Sequence, residues 1–135
     1  MEPEFVLEWF RLGDGELMSA KHLTEHHPKQ LEVICYLCQQ ASEKYLKAFL
    51  VCATEEEPPR THVLETLCDC CAKYDSAFDT IYQKCQTLTP YAVQTRYPDT
   101  LELLESDMDR ALRYANEIKR FAPLMELRMK LEDAP

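Results

Sequence analysis

The sequence predicts an all-α protein, an antiparallel up-and-down bundle of about five helices. Residue choice is the first observation: the 135 residues include 18 leucines, but only eight Val plus Ile and two glycines, which disfavours strands. Periodicity is the second, because apolar residues recur at steps of three and four along most of the chain. The length favours one domain over two.

The first helix is predicted from a long apolar stripe near the N-terminus. Its members are Phe5, Val6, Trp9, Leu12, Gly13, Leu17, Ala20 and Leu23. Because Gly13 lies on this stripe, we expect it to allow another helix to approach closely. Asp14 and Gly15 alone would indicate a turn, but the stripe runs through them without interruption, and we predict continuous helix.

A second helix of about 20 residues, roughly 30 Å long, follows the break at His26, His27 and Pro28. Pro28 suits its first turn, since proline lacks the N–H that would be unpaired there. The stripe of this helix contains Ile34, Leu37, Cys38, Ala41, Tyr45, Ala48, Phe49 and Cys52.

Three shorter helices are predicted after the acidic, proline-rich loop 54–59. Thr61 is the expected N-cap of the third, and Asp75 or Ser76 of the fourth. Ser106 and Asp109 have the spacing of a capping box at the start of the fifth.

We expect Pro123 to end or kink the fifth helix, since proline interrupts helical hydrogen bonding. The prediction is therefore a helical bundle over residues 1–123 and a C-terminal tail over 124–135. Apolar residues at positions 124, 127 and 131 would suit a short helix in the tail.

Charge limits the classes of partner. With 24 acidic and 15 basic residues the net charge is −9, which argues against general nucleic-acid binding. No apolar run approaches the ~20 residues of a membrane span, and no secretory leader is recognisable. We therefore expect a cytoplasmic protein without membrane contact.

Seven cysteines invite a metal or disulfide interpretation. They are Cys35, Cys38, Cys52, Cys68, Cys70, Cys71 and Cys85. Reduced thiols are expected in a cytoplasmic protein. The spacing of Cys35 and Cys38 superficially resembles a zinc motif, but both lie within a helical pattern that lacks the turn residues of zinc knuckles. We predict that the cysteines are small core residues and that there is no metal site.

Three groups of polar residues are candidates for function. In the second helix Gln40, Lys44 and Lys47 share one face, although a solvated face with a Glu43–Lys47 ion pair would look the same.

The other two groups contain arginine. Arg60 and His62 lie at a predicted helix start, which favours anions, although His62 could equally pack or cap locally. Arg96 and Tyr97 lie between two prolines, where the guanidinium could bind phosphate or carboxylate, or hold the loop to the bundle.

In this order, the groups resemble the HEPN family (higher eukaryotes and prokaryotes nucleotide-binding), in its prokaryotic stand-alone branch. The resemblance covers about residues 5–122. The matching stretches are Trp9-x-x-x-Gly13-x-x-x-Leu17-x-x-Ala20, Cys38-Gln-Gln-Ala-Ser-Glu-Lys-Tyr-Leu-Lys-Ala48, Pro59-Arg-Thr-His-x-Leu64 and Tyr91-x-x-x-Thr-Arg-Tyr-Pro98.

The resemblance implies a bundle of about five helices that pairs as a homodimer. It also implies a minimal nucleotidyltransferase as partner, in a two-component system of the toxin–antitoxin kind. Some members of the family bind nucleotides. Others are metal-independent endoribonucleases, which use an Arg followed four to six residues later by His. No arginine of this chain has such a histidine; after Arg96 the positions hold Leu101, Glu102 and Leu103.

We therefore predict a non-catalytic homodimeric module that binds a nucleotide or another phosphate-bearing ligand, docks a nucleotidyltransferase, or does both. No cofactor is expected to be required. The lysines would supply point charges, Arg96 a bidentate fork and Tyr97 a stacking face. The predicted ligand-binding residues are Lys44, Lys47, Arg60, His62, Arg96 and Tyr97. The alternatives are a diverged endoribonuclease that uses His62 and Arg96, and a purely protein–protein interaction module.

Overall fold

A computed structural model describes residues 2–92 and 102–135, and within these ranges it contains helices and no strand. The predicted all-α bundle is confirmed. The α-helices are α1 (Pro3–His26), α2 (Leu31–Thr54), α3 (Leu64–Ala72), α4 (Tyr82–Leu88), α5 (Glu105–Lys119) and α6 (Ala122–Glu132). Short 3-10 helices at Ser76–Ile81 and Thr89–Ala92 flank α4. None of the described helices is long and apolar enough to cross a membrane.

Helix α2 is the centre of the bundle. It contacts each of the five other α-helices, and its buried residues lie all around its circumference. A helix enclosed on every side must bury whatever polar residues it carries. In α2 these are Gln39, Gln40, Ser42, Glu43 and Lys47.

The α1–α2 contact is closest at Gly13. A Cβ atom built on Gly13 would lie 2.7 Å from Cε1 of Tyr45. The Tyr45 hydroxyl donates a hydrogen bond to Oδ1 of Asp14 over 2.7 Å. The expected close approach at Gly13 and the continuous helix through Gly15 are both confirmed.

Helix α6 is fixed to α1 through Asp14. The Arg128 guanidinium donates to both carboxylate oxygens of Asp14, and Nζ of Lys119 lies 3.4 Å from Oδ1. Burial alone would raise the pKa of Asp14, but the hydrogen bonds from Arg128 and Tyr45 outweigh it and lower that pKa. Leu124, in the first turn of α6, is fully buried.

Two of the predicted helix starts are wrong by a few residues. Pro28 lies before α2 and not in its first turn. The N–H of Gln30 bonds to the carbonyl of His27, so that a turn separates α1 from α2. Helix α3 begins at Leu64, so Thr61 is not its N-cap. The Thr61 hydroxyl accepts from the N–H of Val63, which lies just outside the helix.

The start of α5 also differs from the prediction, whereas the cap at Asp75 is confirmed. Asp107, rather than Ser106 and Asp109, holds the first turn of α5 by accepting from the N–H of Leu104 over 2.8 Å. The Asp75 carboxylate accepts from the N–H of Ala77 at the start of a 3-10 helix.

The cysteines serve mainly as core residues, as predicted. Five are buried, whereas Cys52 and Cys70 are half-buried. Burial raises the pKa of the Cys35 thiol to about 12. Among the described residues, no group of His, Cys, Asp and Glu side chains has the arrangement of a metal site.

Candidate functional site

A buried carboxylate, Glu43, organises the polar residues of α2. Its Oε1 atom lies 2.8 Å from Nδ1 of His62 and accepts from Nε2 of Gln39 over 3.3 Å. Its Oε2 atom accepts from Nζ of Lys47 over 3.0 Å. The Gln39 amide also donates to the backbone carbonyl of His62 over 2.9 Å, which ties the 55–63 loop to α2.

The surroundings of Glu43 keep it ionised. Burial alone would raise its pKa, but the hydrogen bonds from His62 and Lys47 favour the carboxylate and lower the pKa overall. The side chains of Glu43 and Lys47 are only 5% and 10% exposed, so this ion pair is shielded from water. The His62 side chain, in contrast, is 61% exposed.

Lys44 belongs to a second ion pair on the side of α2 that faces α1. Its Nζ atom lies 3.0 Å from Oε1 of Glu16. Burial raises the pKa of Glu16, partly offset by Lys44. The charge of Lys44 is therefore compensated within the bundle.

A groove of about 350 Å³ lies between the start of α1, the middle of α2 and the 55–63 loop. Its lining residues are Phe5, Trp9, Lys47, Glu57, Pro58 and Arg60. Phe5 is 51% exposed, and Trp9 is half-buried. The Arg60 side chain is 93% exposed and comes no closer than 3.8 Å to Glu57. The groove thus combines aromatic surface with a fixed cation and an exposed one.

Comparison with known families decides the identity of this bundle. The family model described as "HEPN domain" matches residues 6–125. The chain belongs to the HEPN domain family. The family resemblance seen in the sequence is thereby confirmed.

Solved structures show the same HEPN fold. TT1696 from Thermus thermophilus is 20% identical, with a TM-score of 0.71, over 90% of this chain and 97% of that one. ST0689, described as an archaeal HEPN homologue, is 22% identical, with a TM-score of 0.67, over 93% of this chain and 97% of that one. No curated protein sequence matches the chain.

The structure brings together only some of the residues predicted for the HEPN site. Lys47 and Arg60 line the groove, and His62 joins Lys47 through Glu43. Lys44 does not line the groove and pairs with Glu16 instead. Arg96 and Tyr97, predicted as a phosphate fork and a stacking face, lie outside the described residues.

The aromatic wall of the groove was not predicted. The predicted apolar stripe of α1 includes Phe5 and Trp9, but the stripe alone does not show which of its residues face the core. The buried face of α1 contains Val6, Phe10, Gly13, Leu17 and Ala20, and of these Phe10 lies outside the predicted stripe. Residues 5, 9 and 12 lie beside this buried face; Phe5 and Leu12 are exposed, whereas Trp9 is half-buried and packs against the core. An apolar stripe wider than one partner helix can cover is the signal that could have indicated this surface.

Proposed function

We propose that this HEPN domain is a non-catalytic binding module whose groove takes a nucleotide or a related phosphate-bearing ligand. The supporting observation is that Phe5 and Trp9 lie in the same groove as Lys47 and Arg60. A base can stack on aromatic rings, and arginine binds phosphate oxygens through its planar fork.

The two cations of the groove differ in what they offer such a ligand. Lys47 is held by Glu43 at 3.0 Å, so its position is fixed and its charge is largely compensated. Arg60 is almost fully exposed and only weakly engaged by Glu57, so its guanidinium is available. Arg60 is therefore the residue assigned to the phosphate, and Lys47 forms part of the floor.

The single tryptophan of the chain makes this proposal easy to test. AMP and ATP are titrated into the protein while the fluorescence of Trp9 is followed, with calorimetry in parallel. We expect quenching by stacking, and a loss of affinity of about tenfold in Arg60→Ala. Arg11→Ala is the matched control, because Arg11 is exposed and paired only with Glu8, one turn away. Unchanged fluorescence and no heat with either nucleotide would refute the proposal.

A second candidate function, metal-independent RNA cleavage, is favoured by the pair of His62 and Glu43. A buried carboxylate that accepts from Nδ1 of an exposed histidine leaves the other ring nitrogen able to take a proton. Cleavage would require that nitrogen to accept the proton of a 2′-hydroxyl as its oxygen attacks phosphorus and the P–O5′ bond breaks. The products would be a 2′,3′-cyclic phosphate and a 5′-hydroxyl, whose oxygen takes up a proton as it leaves. Cleavage of a structured RNA in EDTA that disappears in His62→Ala would support this function, whereas intact RNA would exclude it.

HEPN domains often form dimers. For this chain the homodimer and the nucleotidyltransferase partner remain predictions, which sedimentation equilibrium and co-purification would test.

A further inference from the structure

A second pocket lies on a different part of the surface, between α1 and α5, and has a volume of about 560 Å³. Its lining residues are Lys21, Arg113, Asn116, Glu117 and Arg120. The four residues from α5 and its C-terminal end follow at i, i+3, i+4 and i+7, so they share one helix face. Lys21 faces them from α1.

The pocket carries an excess of positive charge in an acidic chain. Three cations face one carboxylate, that of Glu117, which is also shared with Lys84 at 3.3 Å and lies 3.9 Å from Arg113. Within residues 2–92 and 102–135, neither Lys21 nor Arg120 forms an ion pair. An overall charge of −9 makes such a concentration of uncompensated cations unusual for this surface.

Two contacts restrict the side chains around the pocket. The guanidinium carbon of Arg113 lies 5.3 Å from the centre of the Tyr114 ring, a cation–π distance. The Asn116 amide donates to the carbonyl of Leu112 over 2.9 Å, which leaves its second N–H for another acceptor. The pocket therefore presents two guanidinium groups, an ammonium and an amide donor.

We propose that this α1–α5 pocket is a second binding site, specific for a multivalent phosphate anion such as a polyphosphate chain. Guanidinium groups bind phosphate oxygens in pairs, and three cations suit a ligand with more than one negative charge. The site is distinct from the aromatic groove. Phe5 and Lys21 are about 16 residues apart on α1, roughly 24 Å along its axis, so no mononucleotide could span both.

Tripolyphosphate is the probe, titrated by calorimetry at low ionic strength. We expect Lys21→Ala combined with Arg120→Ala to weaken binding by about tenfold or more. Both side chains are exposed and, in the described part of the chain, outside any ion pair, so the variant should fold normally. The matched control is Lys29→Ala with Lys73→Ala, which removes the same charge from exposed positions outside the pocket and should change affinity by less than about twofold.

NMR locates the bound anion. The side-chain amide of Asn116 should shift on addition of tripolyphosphate, and the indole N–H of Trp9 should not. The absence of binding, an equal loss in the control variant, or a shift of Trp9 instead of Asn116 would each overturn the proposal.

Discussion

The Nδ1 atom of His62 lies 2.8 Å from Oε1 of Glu43, although the two side chains differ greatly in exposure. The carboxylate is buried in α2, whereas most of the imidazole is in water. The same carboxylate also holds Lys47, so it connects an exposed loop to the interior of the bundle. A ligand that displaced the His62 ring would therefore remove one of the hydrogen bonds to Glu43.

Glu43→Ala should strongly destabilise the protein, because it leaves the ammonium of Lys47 buried without its partner. Breaking one side of a buried ion pair costs about 3 kcal/mol or more in the free energy of unfolding. Urea unfolding followed by circular dichroism measures the loss. Glu8→Ala is the control, since the Glu8–Arg11 pair is exposed to solvent and should contribute little to stability. Equal losses in the two variants would contradict the buried role of Glu43.

Acid should weaken the fold through the same carboxylate. The pKa of Glu43 is lowered in the folded state, so its contribution is complete above its unfolded pKa of about 4.3 and is lost as the pH falls through the folded value. The contribution of Glu16 to stability depends on pH in the opposite direction. Burial raises the pKa of Glu16, so its contribution declines as the pH rises.

Urea unfolding between about pH 7 and pH 3 tests this linkage. The wild-type protein should lose more stability over this range than Glu43→Gln, which cannot titrate at that position. Parallel pH profiles for the two proteins would show that Glu43 does not contribute.

The helices could be predicted from the sequence, because leucine-rich stripes of period 3.6 identify them whatever their neighbours are. The burial of the polar residues of α2 could not be predicted from the sequence. A Glu43–Lys47 spacing looks the same on a solvated face and in a core, and only the helices packed around α2 make the pair buried. Phe5 and Trp9 show the reverse case, since these members of the apolar stripe line an open groove. Side-chain chemistry was visible in the sequence, but exposure depends on the tertiary contacts.

The native thiols should separate into two classes of reactivity. Burial raises the pKa of Cys35 to about 12 and also raises that of Cys38, so neither thiolate is available near pH 8. Cys52 and Cys70 are half-buried and should react with iodoacetamide first. Mass spectrometry of tryptic peptides over time measures the order. Alkylation of Cys35 in the native protein as fast as that of Cys70 would be inconsistent with its position in the core.

The two glycines of α1 should respond in opposite ways to alanine. At Gly13 the new Cβ would lie 2.7 Å from the Tyr45 ring, whose hydroxyl is held by Asp14, so the ring cannot easily move aside. Gly13→Ala should therefore cost about 1–3 kcal/mol of stability. Gly15→Ala meets no atom within 4 Å and should stabilise the helix by about 0.5–1 kcal/mol. Thermal unfolding of both variants measures the difference, and a Gly13→Ala protein as stable as Gly15→Ala would mean that α1 and α2 do not approach closely at this point.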